Sequence, residues 1–429
     1  MIEPKILKGF RDFLPAAEME RRALVEKIEA SFRSFGFVPI DTPVLEYAEI
    51  LLGKGGGETE KQVYRFTDHG GRDVALRFDL TVPFARFLAE HRSELPLPFK
   101  RYHIAKVWRG ENTQRGRYRE FTQCDFDSVG SDSPAADFEI LLLMRKTLEA
   151  IGVGNVTIRL NHRGLFNRFL ERIHCRDKST EILRIVDKLA KAGRESTQQS
   201  LAELAGEDSA GKLLDYIEVR GSFEDTLRAI TEAAGGECPE SERMAQIRRF
   251  MIDSGCGDSF VLDPSITRGL DYYTGVVYET FLNELPDIGS VCSGGRYDDL
   301  AGLYSREKLS GVGSSIGLDR LIAALESLGA LGGFASYARA AIACVDEAQG
   351  GLYQALAEQI RRGGIPCEVF PEARKLTQQF VLAEKKAIPW VIIPGENPLK
   401  DPLTLREIAR RQDRQALSLE TLIGIIQQR

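Results

Sequence analysis

Residues Val107–Asp127, VWRGENTQRGRYREFTQCDFD, constrain the fold more than any other part of this chain. Apolar and aromatic residues flank a Gly-containing centre, so the stretch reads as strand, long loop, strand. Most hairpins close with a two-residue turn, and a loop this long is an unusual way to build one. Arg109, Arg115, Arg117 and Arg119 are spaced along it, Arg101 lies upstream, and it closes on Gln123, Asp125 and Asp127. Guanidinium forks match phosphate oxygens bidentately, and the carboxylates beyond them suit a small cationic or hydrogen-bond-donating ligand. A solvated charged hairpin is the competing reading of the same residues.

The chain has 429 residues, too many for one core, and implies two or three domains. A hydrophobic content of 43% with 28% charged residues is that of a soluble globular protein. The net charge of -6 argues against a protein that coats nucleic acid, but not against an enzyme with local basic patches. Such a patch exists: Lys100–Arg119 holds seven Lys/Arg against one Glu. Seven scattered cysteines with no CxxC spacing fit free thiols in a reducing compartment. The five histidines show no HxxxH or HExxH spacing, so no metal site is expected. The N-terminus lacks an apolar signal core and no 18-residue apolar run exists, which predicts a cytoplasmic protein.

Along the chain, Glu18–Phe35 has helical spacing of Met19, Leu24, Val25, Ile28, Phe32 and Phe35, and Gly36 ends it. FVPIDTPVLE follows as a strand interrupted by Pro39 and Pro43, which places it at a sheet edge. A helix and edge strand of this kind suit either a dimer surface or a lid over a sheet. LLGKGGGETE (51–60) reads as a Gly-rich loop, not a phosphate-binding loop, because Lys54 is followed by Gly. Two strands then surround a His-Gly-Gly turn, and a helix starts near Thr81-Val82-Pro83. Asp79 and Thr81 sit at that strand-to-helix junction, where Asp79 either caps the helix or faces a pocket.

Asp137–Ala150 reads as a helix and VTIRLNHRGLF as a strand leading from it. The pattern from 166 to 252 is helical with charged faces, as in an independent insertion. RGLDYYTGVVYETF (268–281) reads as a Tyr-rich hairpin with an alternating second strand, and VCSGGRYDDL (291–300) carries a Gly-Gly pair before Arg296. An aromatic core hairpin and an ordinary turn are the plain alternatives. GVGSSIGLDRLIAAL (311–325) has GxGxxxG spacing and no βαβ setting, so it is not a dinucleotide fingerprint. It predicts a glycine-rich strand entering a helix near Leu318. Arg320 then falls in the first helical turn, where a cation opposes the macrodipole unless an anion or a surface carboxylate balances it. Beyond the small-residue linker LGALGGFASY (328–337), AAIACVD, IPCEVF and WVIIPG alternate with helices at 348–362 and 376–386, as in a separate α/β domain.

These segments together resemble the histidyl-tRNA synthetases, class II aminoacyl-tRNA synthetases, over essentially the whole chain. KGFRDFLP, GFVPIDTPVLE, VWRGENTQRGRYREF and GVGSSIGLDRL are similar to the opening segment and the three class motifs. RGLDYYTGVVYE and CSGGRYDDL are similar to the two segments that mark the histidine enzymes. The resemblance implies an α+β fold: an antiparallel sheet flanked by helices, with a helical insertion and a C-terminal α/β domain. It divides the chain into catalytic core at 1–165 and 253–327, helical insertion at 166–252, linker at 328–337 and anticodon-binding domain at 338–429.

It also implies substrates and roles. ATP, accompanied by Mg²⁺, would meet Arg109, Glu111, Arg117, Phe121 and Arg320. Histidine would meet Asp79, Leu80, Thr81, Arg109, Gln123, Asp127, Arg268, Tyr272 and Tyr273, with Asp127 and Tyr273 at the ring and Asp79, Thr81 and Gln123 at the ammonium. Arg109 and Arg268 would be catalytic, Arg268 bridging the amino-acid carboxylate and the α-phosphate. Gln114, Arg115 and Arg119 would lie near the end of tRNA(His), and the protein would be a homodimer. Asp79 stands where many bacterial members have Glu, and Asp299 where Gly is usual. Two other readings share the core: the synthetase-like regulatory subunit of the first histidine-biosynthesis enzyme, and another class II synthetase such as the prolyl or threonyl enzyme. The terminal domain and the retained Arg109, Arg268 and Arg320 speak against the first, and RGLDYYTG against the second.

Overall fold

The structure, a computed structural model, describes residues 1–53, 58–266, 273–298, 302, 304, 307–331, 333 and 336–428. The chain divides into two compact units. One comprises residues 1–11 and 24–331; the other comprises 12–23 and 332–429.

The larger unit is built on an eight-stranded sheet. Its spatial order is Val38–Pro39, Phe99–Trp108, Glu120–Val129, Gly311–Gly317, Cys292–Tyr297, Val276–Leu282, Val156–His162 and Phe260–Leu262. The six central strands are antiparallel. The two outermost pairs, Val38–Pro39 with Phe99–Trp108 and Val156–His162 with Phe260–Leu262, are parallel, so the sheet is mixed at both edges. Pro39 costs nothing in a two-residue edge strand, because the amide it lacks would face away from the ladder.

Side chains alternate across a strand, and here the alternation separates structure from chemistry. Cys124 and Phe126, with Val312 and Ile316 on the next strand, are buried in the main apolar core. Helix Pro134–Ala150 contributes Leu141, Met144 and Leu148 to that core, and helix Pro15–Ser34 adds Leu24, Ile28 and Phe32. Phe32 lies 4.8 Å from the Phe126 ring. The intervening residues, Phe121, Gln123, Asp125 and Asp127, leave the opposite face. Ser133 accepts from the Ala135 amide and starts the 134–150 helix, while Asp137 in its first turn is bound by Arg296 (2.7 Å) and Arg243 (2.6 Å). Arg296 is therefore an internal brace, and the Gly294-Gly295 pair before it lies within a strand, not a turn.

Several local expectations change. Within 51–60, Leu51 and Leu52 end one short helix and Glu58 begins another; residues 54–57 lie outside the described residues. The strand Val276–Leu282 is buried on both faces. The first arm of that hairpin, 268–272, lies outside the described residues. The helices between Arg163 and Asp253 do not enclose a core of their own: Leu201, Ile230 and Met244 are continuous with the cluster around Met144 and Leu160.

The smaller unit has a five-stranded sheet ordered Cys367–Val369, Ala340–Ile342, Trp390–Ile393, Leu403–Glu407 and Gln412–Leu417. The first three strands are parallel and the last two extend them as an antiparallel hairpin. Helices Gly350–Arg362, Leu376–Lys385 and Leu419–Gln427 pack on Ile342, Trp390 and Leu405. Among the described residues no helix is long and apolar enough to cross a membrane.

Candidate active site

The antiparallel register assembles the polar face of the large sheet. Arg101 lies across from Asp127, His103 from Asp125 and Ala105 from Gln123 on one side. On the other side Gly313, Ser315 and Gly317 face the same three residues. Residues opposite one another point to the same side, so this face carries a row of polar groups between two walls.

At one end of the row lies a cavity of about 200 Å³ lined by Arg109, Glu111, Gly116, Arg117, Tyr118, Phe121, Gln123, Asp319 and Arg320 among others. Arg109 donates through Nε to the Phe78 carbonyl at 2.9 Å, and its guanidinium sits 5.2 Å from the Phe121 ring centre. Arg117 is 3.7 Å from Glu111. Arg320, in the first turn of helix Leu318–Ser327, donates to the Ser290 carbonyl. The loop 109–119 folds back through paired Gln114 and Arg117 backbone bonds of 3.1 and 2.9 Å. Gly116 turns the chain at φ 71°, and a side chain there would press the Arg320 backbone at 3.3 Å. The cavity therefore gathers three guanidiniums and two aromatic rings, Tyr118 and Phe121, the chemistry of a polyphosphate carried on a flat base.

At the other end is an acidic niche. Asp79, Asp125 and Asp127 are each no more than 3% exposed. Asp79 accepts from the Val82 amide at 3.1 Å through one oxygen, while its other oxygen is buried without a partner. It caps the helix with one oxygen and keeps the other in reserve. Gln123 donates to Ser315 at 2.8 Å and its carbonyl oxygen is buried and unpartnered. Burial pushes the Asp125 carboxyl up to about 7 against the opposing field of Arg101, with Asp127 and Asp79 adding repulsion. Burial likewise raises Asp79 to about 6 and raises Asp127. Three carboxylates with one contacting guanidinium leave the niche short of positive charge, and it suits a ligand that brings an ammonium.

Glycines open the floor of the niche. A Cβ at Gly313 would come within 1.9 Å of Asp127 Oδ1, and one at Gly295 within 2.8 Å of the Tyr273 ring. Gly313 and Gly295 are themselves paired across adjacent strands. Only hydrogen at both positions lets Asp127 and Tyr273 lie flat over the sheet.

Residues 9–321 match the family described as histidyl-tRNA synthetase, and residues 339–429 match the anticodon binding domain. The chain belongs to the histidyl-tRNA synthetase family. The histidine–tRNA ligase of Treponema denticola is 56% identical over 396 residues, covering 91% of this chain and 88% of that protein. That of Treponema pallidum is 52% identical over 421 residues, 96% and 95% of the two chains. Among solved structures, the histidyl-tRNA synthetase of Nostoc superposes with a TM-score of 0.85 at 29% identity, over 100% of both chains.

In this synthetase the five arginines singled out in the sequence separate. Arg109 and Arg117 line the cavity with Glu111 and Phe121. Arg115 donates to Ser327 at 2.8 Å. Arg119 is stitched to the N-terminal segment: its amide donates to the Gly9 carbonyl at 2.9 Å and its Nε to the Glu111 carbonyl at 3.2 Å. Arg101 belongs to the acidic niche. Leu80 is wholly buried and Thr81 half-buried at the start of their helix, while Arg268 and Tyr272 lie outside the described residues.

Sequence reading missed Arg11 and Asp319. Asp319 Oδ2 accepts from the Thr122 amide at 2.7 Å and Oδ1 pairs with Arg11, whose guanidinium lies 3.4 Å from the Tyr118 ring centre. That knot ties the N-terminal segment, the 109–119 loop and the helix carrying Arg320. No local pattern signals it, because its members are 308 residues apart.

Proposed function

We propose that this chain is a histidine–tRNA ligase: it activates L-histidine with ATP to histidyl-adenylate and pyrophosphate, then passes the histidyl group to the 3′-terminal ribose of tRNA(His). One observation carries the reading. A guanidinium-lined cavity and a carboxylate-rich niche share one face of one sheet, joined at Gln123. A triphosphate and an ammonium are the complementary pair of ligands.

In the first step a carboxylate oxygen of histidine attacks the α-phosphorus and the bond to pyrophosphate breaks. Negative charge grows on the equatorial oxygens, where fixed guanidiniums stabilise it without reorganising. Arg109 and Arg268 act there, Arg268 bridging the two reactants. Glu111 reads the adenine amino group, Phe121 stacks on the base, and Arg117 and Arg320 hold the remaining phosphates. Mg²⁺ enters as part of the ATP substrate. Asp319, one of two carboxylates bordering the cavity, is already bound by Arg11 and Thr122, which suits a cation carried on the phosphates.

Histidine lies with its ammonium toward Asp79, Thr81 and Gln123, its ring toward Asp127 and Tyr273, and Leu80 and Tyr272 around it. The unpartnered oxygens of Asp79 and Gln123 are the acceptors that an ammonium would satisfy. A neutral imidazole offers one donor and one acceptor, so a site of paired polar groups rejects side chains that leave those groups unmatched. In the second step the ribose hydroxyl attacks the adenylate carbonyl and AMP leaves, with Gln114, Arg115 and Arg119 beside the tRNA end.

The domains follow the same reading: 1–165 and 253–327 catalytic, 166–252 against the acceptor arm, 328–337 a linker, 338–429 at the anticodon. The exposed Val38, Val44, Leu45 and Tyr47 support a homodimer with this edge as its interface. Seven buried cysteines, none in a disulfide, support work in the cytoplasm. Histidine-dependent exchange of pyrophosphate into ATP, run against a panel of amino acids, tests the function. Exchange with histidine alone is expected; none from a folded protein would overturn the ligase in favour of a histidine-binding regulatory subunit.

A further inference from the structure

Arg101 is wholly buried, yet it does not line the nucleotide cavity. It stands across the sheet from Asp127, with one Nη 2.6 Å from Asp127 Oδ2. Its guanidinium lies 4.1 Å from the ring centre of Phe84, on the helix that Asp79 caps. The Tyr297 hydroxyl donates to the other Asp127 oxygen at 2.8 Å. Asp127 is thus gripped from two sides before any ligand arrives. All three Arg101 guanidinium nitrogens are buried without a hydrogen bond, Nη2 meeting Asp127 as an ion pair only, so an aliphatic residue would be the less costly way to fill this space. A charge kept at that cost needs a reason beyond packing.

We propose that Arg101 is a positioning residue for histidine activation: it keeps Asp127 ionised and oriented, so that a carboxylate and not a carboxylic acid meets the imidazole N–H. This rests on the ligase reading above. The neighbours of Asp127 show why a counter-ion is needed. Asp125 and Asp79 face the same niche, and Tyr273, Tyr278 and Tyr297 approach it without positive charge. His103, across from Asp125, is held neutral by burial and by the field of Arg101 itself. Remove the guanidinium and Asp127 takes up a proton. It then donates as readily as it accepts, and the ring N–H loses its dedicated acceptor.

The test is pyrophosphate exchange by the full-length protein, comparing Arg101→Met, Arg101→Lys, Asp127→Asn and the Met/Asn double variant. Arg101→Met is expected to raise the histidine KM by about 10- to 100-fold while kcat changes by less than about threefold. Arg101→Lys should recover most of the loss, because the contact is a single Nη–oxygen pair and not a fork. In the Asp127→Asn background Arg101→Met should add less than about threefold, since the partner is already gone. A second readout is 2-thiazolylalanine, whose ring keeps an acceptor nitrogen but has no N–H. Wild type should discriminate against it, Arg101→Lys should keep that discrimination and Arg101→Met should lose most of it. Equal loss in kcat and KM, full multiplication of the two single effects, or lost discrimination in Arg101→Lys would each overturn the proposal; the Lys arm decides if the Met variant does not fold. Absence of exchange in wild type would instead strike the ligase reading.

Discussion

Asp125→Asn, made in the ligand-free protein, should stabilise it at alkaline pH. Asp125 is held near 7 in the folded state against an ordinary value of 3.8, chiefly because burial disfavours its charge. A carboxyl whose folded value is raised contributes most to stability below pH 3.8, and that contribution is lost as pH rises through 7. About three pKa units at 1.36 kcal/mol each make the loss on the order of 4 kcal/mol by pH 8. Asp79, raised to about 6, loses part of its own contribution in an overlapping window, and the two repel, so their effects do not simply add. Asparagine has nearly the same shape and no charge to desolvate, so it removes this penalty without leaving a cavity.

His103 and His162 act in the opposite direction. Burial holds both near 4, below the ordinary 6.5, so each loses stabilising influence as pH falls below 6.5. The quantity to read is therefore the difference between variant and wild type at each pH. Thermal unfolding from pH 5 to 8 should show the variant gaining on wild type until the pH passes about 7 and then holding that gain. Saturating histidine should shift the wild-type midpoint more at pH 8 than at pH 6, because the ammonium supplies the missing positive charge. A variant destabilised equally at every pH would show that Asp125 is an ordinary hydrogen-bonding residue and that the niche has no charge deficit.

Gly313→Ala should abolish most histidine activation, about 100-fold or more in kcat/KM, because its methyl group would displace the Asp127 carboxylate, 1.9 Å away; exchange kinetics equal to wild type would show that Asp127 does not set the site. Arg11→Met should raise the ATP KM by about tenfold and leave the histidine KM nearly unchanged, since it frees Asp319 and Tyr118 at the nucleotide end only; parallel rises in both constants would contradict that division. Arg268→Ala should lower the rate of adenylate formation by about 100-fold or more with little change in histidine affinity, measured by single-turnover mixing; equal losses would make it a plain binding residue.

What the sequence disclosed, and what it hid, follows from the range of the interactions. The hairpin 99–108/120–129 and the strand-to-helix step at Gly317-Leu318 were legible because glycine placement and apolar periodicity act over a few residues. Asp79 could be read either as a cap or as a pocket residue; only the structure shows one oxygen on the Val82 amide and the other buried without a partner. Arg101 was misplaced with the phosphate-binding arginines. Sequence proximity suggested that grouping, while the sheet register set Arg101 against Asp127, 26 positions away in the chain and directly opposite in space. The strand Gln412–Leu417 gave no signal at all, because QDRQAL is solvated on both faces and has no alternation to read. The helical stretch 166–252 looked self-contained from its charged faces, yet its apolar sides complete the core of the sheet unit.

The two ends of the polar face have opposite electrostatic needs, and the fold meets them with a single strand. Glu120–Val129 carries Phe121 and Gln123 toward the guanidiniums and Asp125 and Asp127 toward the carboxylates. Alternation spaces these residues at about 6.8 Å along one face. Reacting atoms must come within about 3–3.5 Å, so holding the two ligands at neighbouring positions of one rigid strand does part of the aligning. The corollary is that each end can be altered without the other only while the strand stays in register. A substitution that slips Gly311–Gly317 against Glu120–Val129 by one residue would turn Val312 and Ile316 out of the apolar core onto the face of Asp125 and Asp127. It would thus remove activity and stability together, which distinguishes a register defect from a change at either pocket alone.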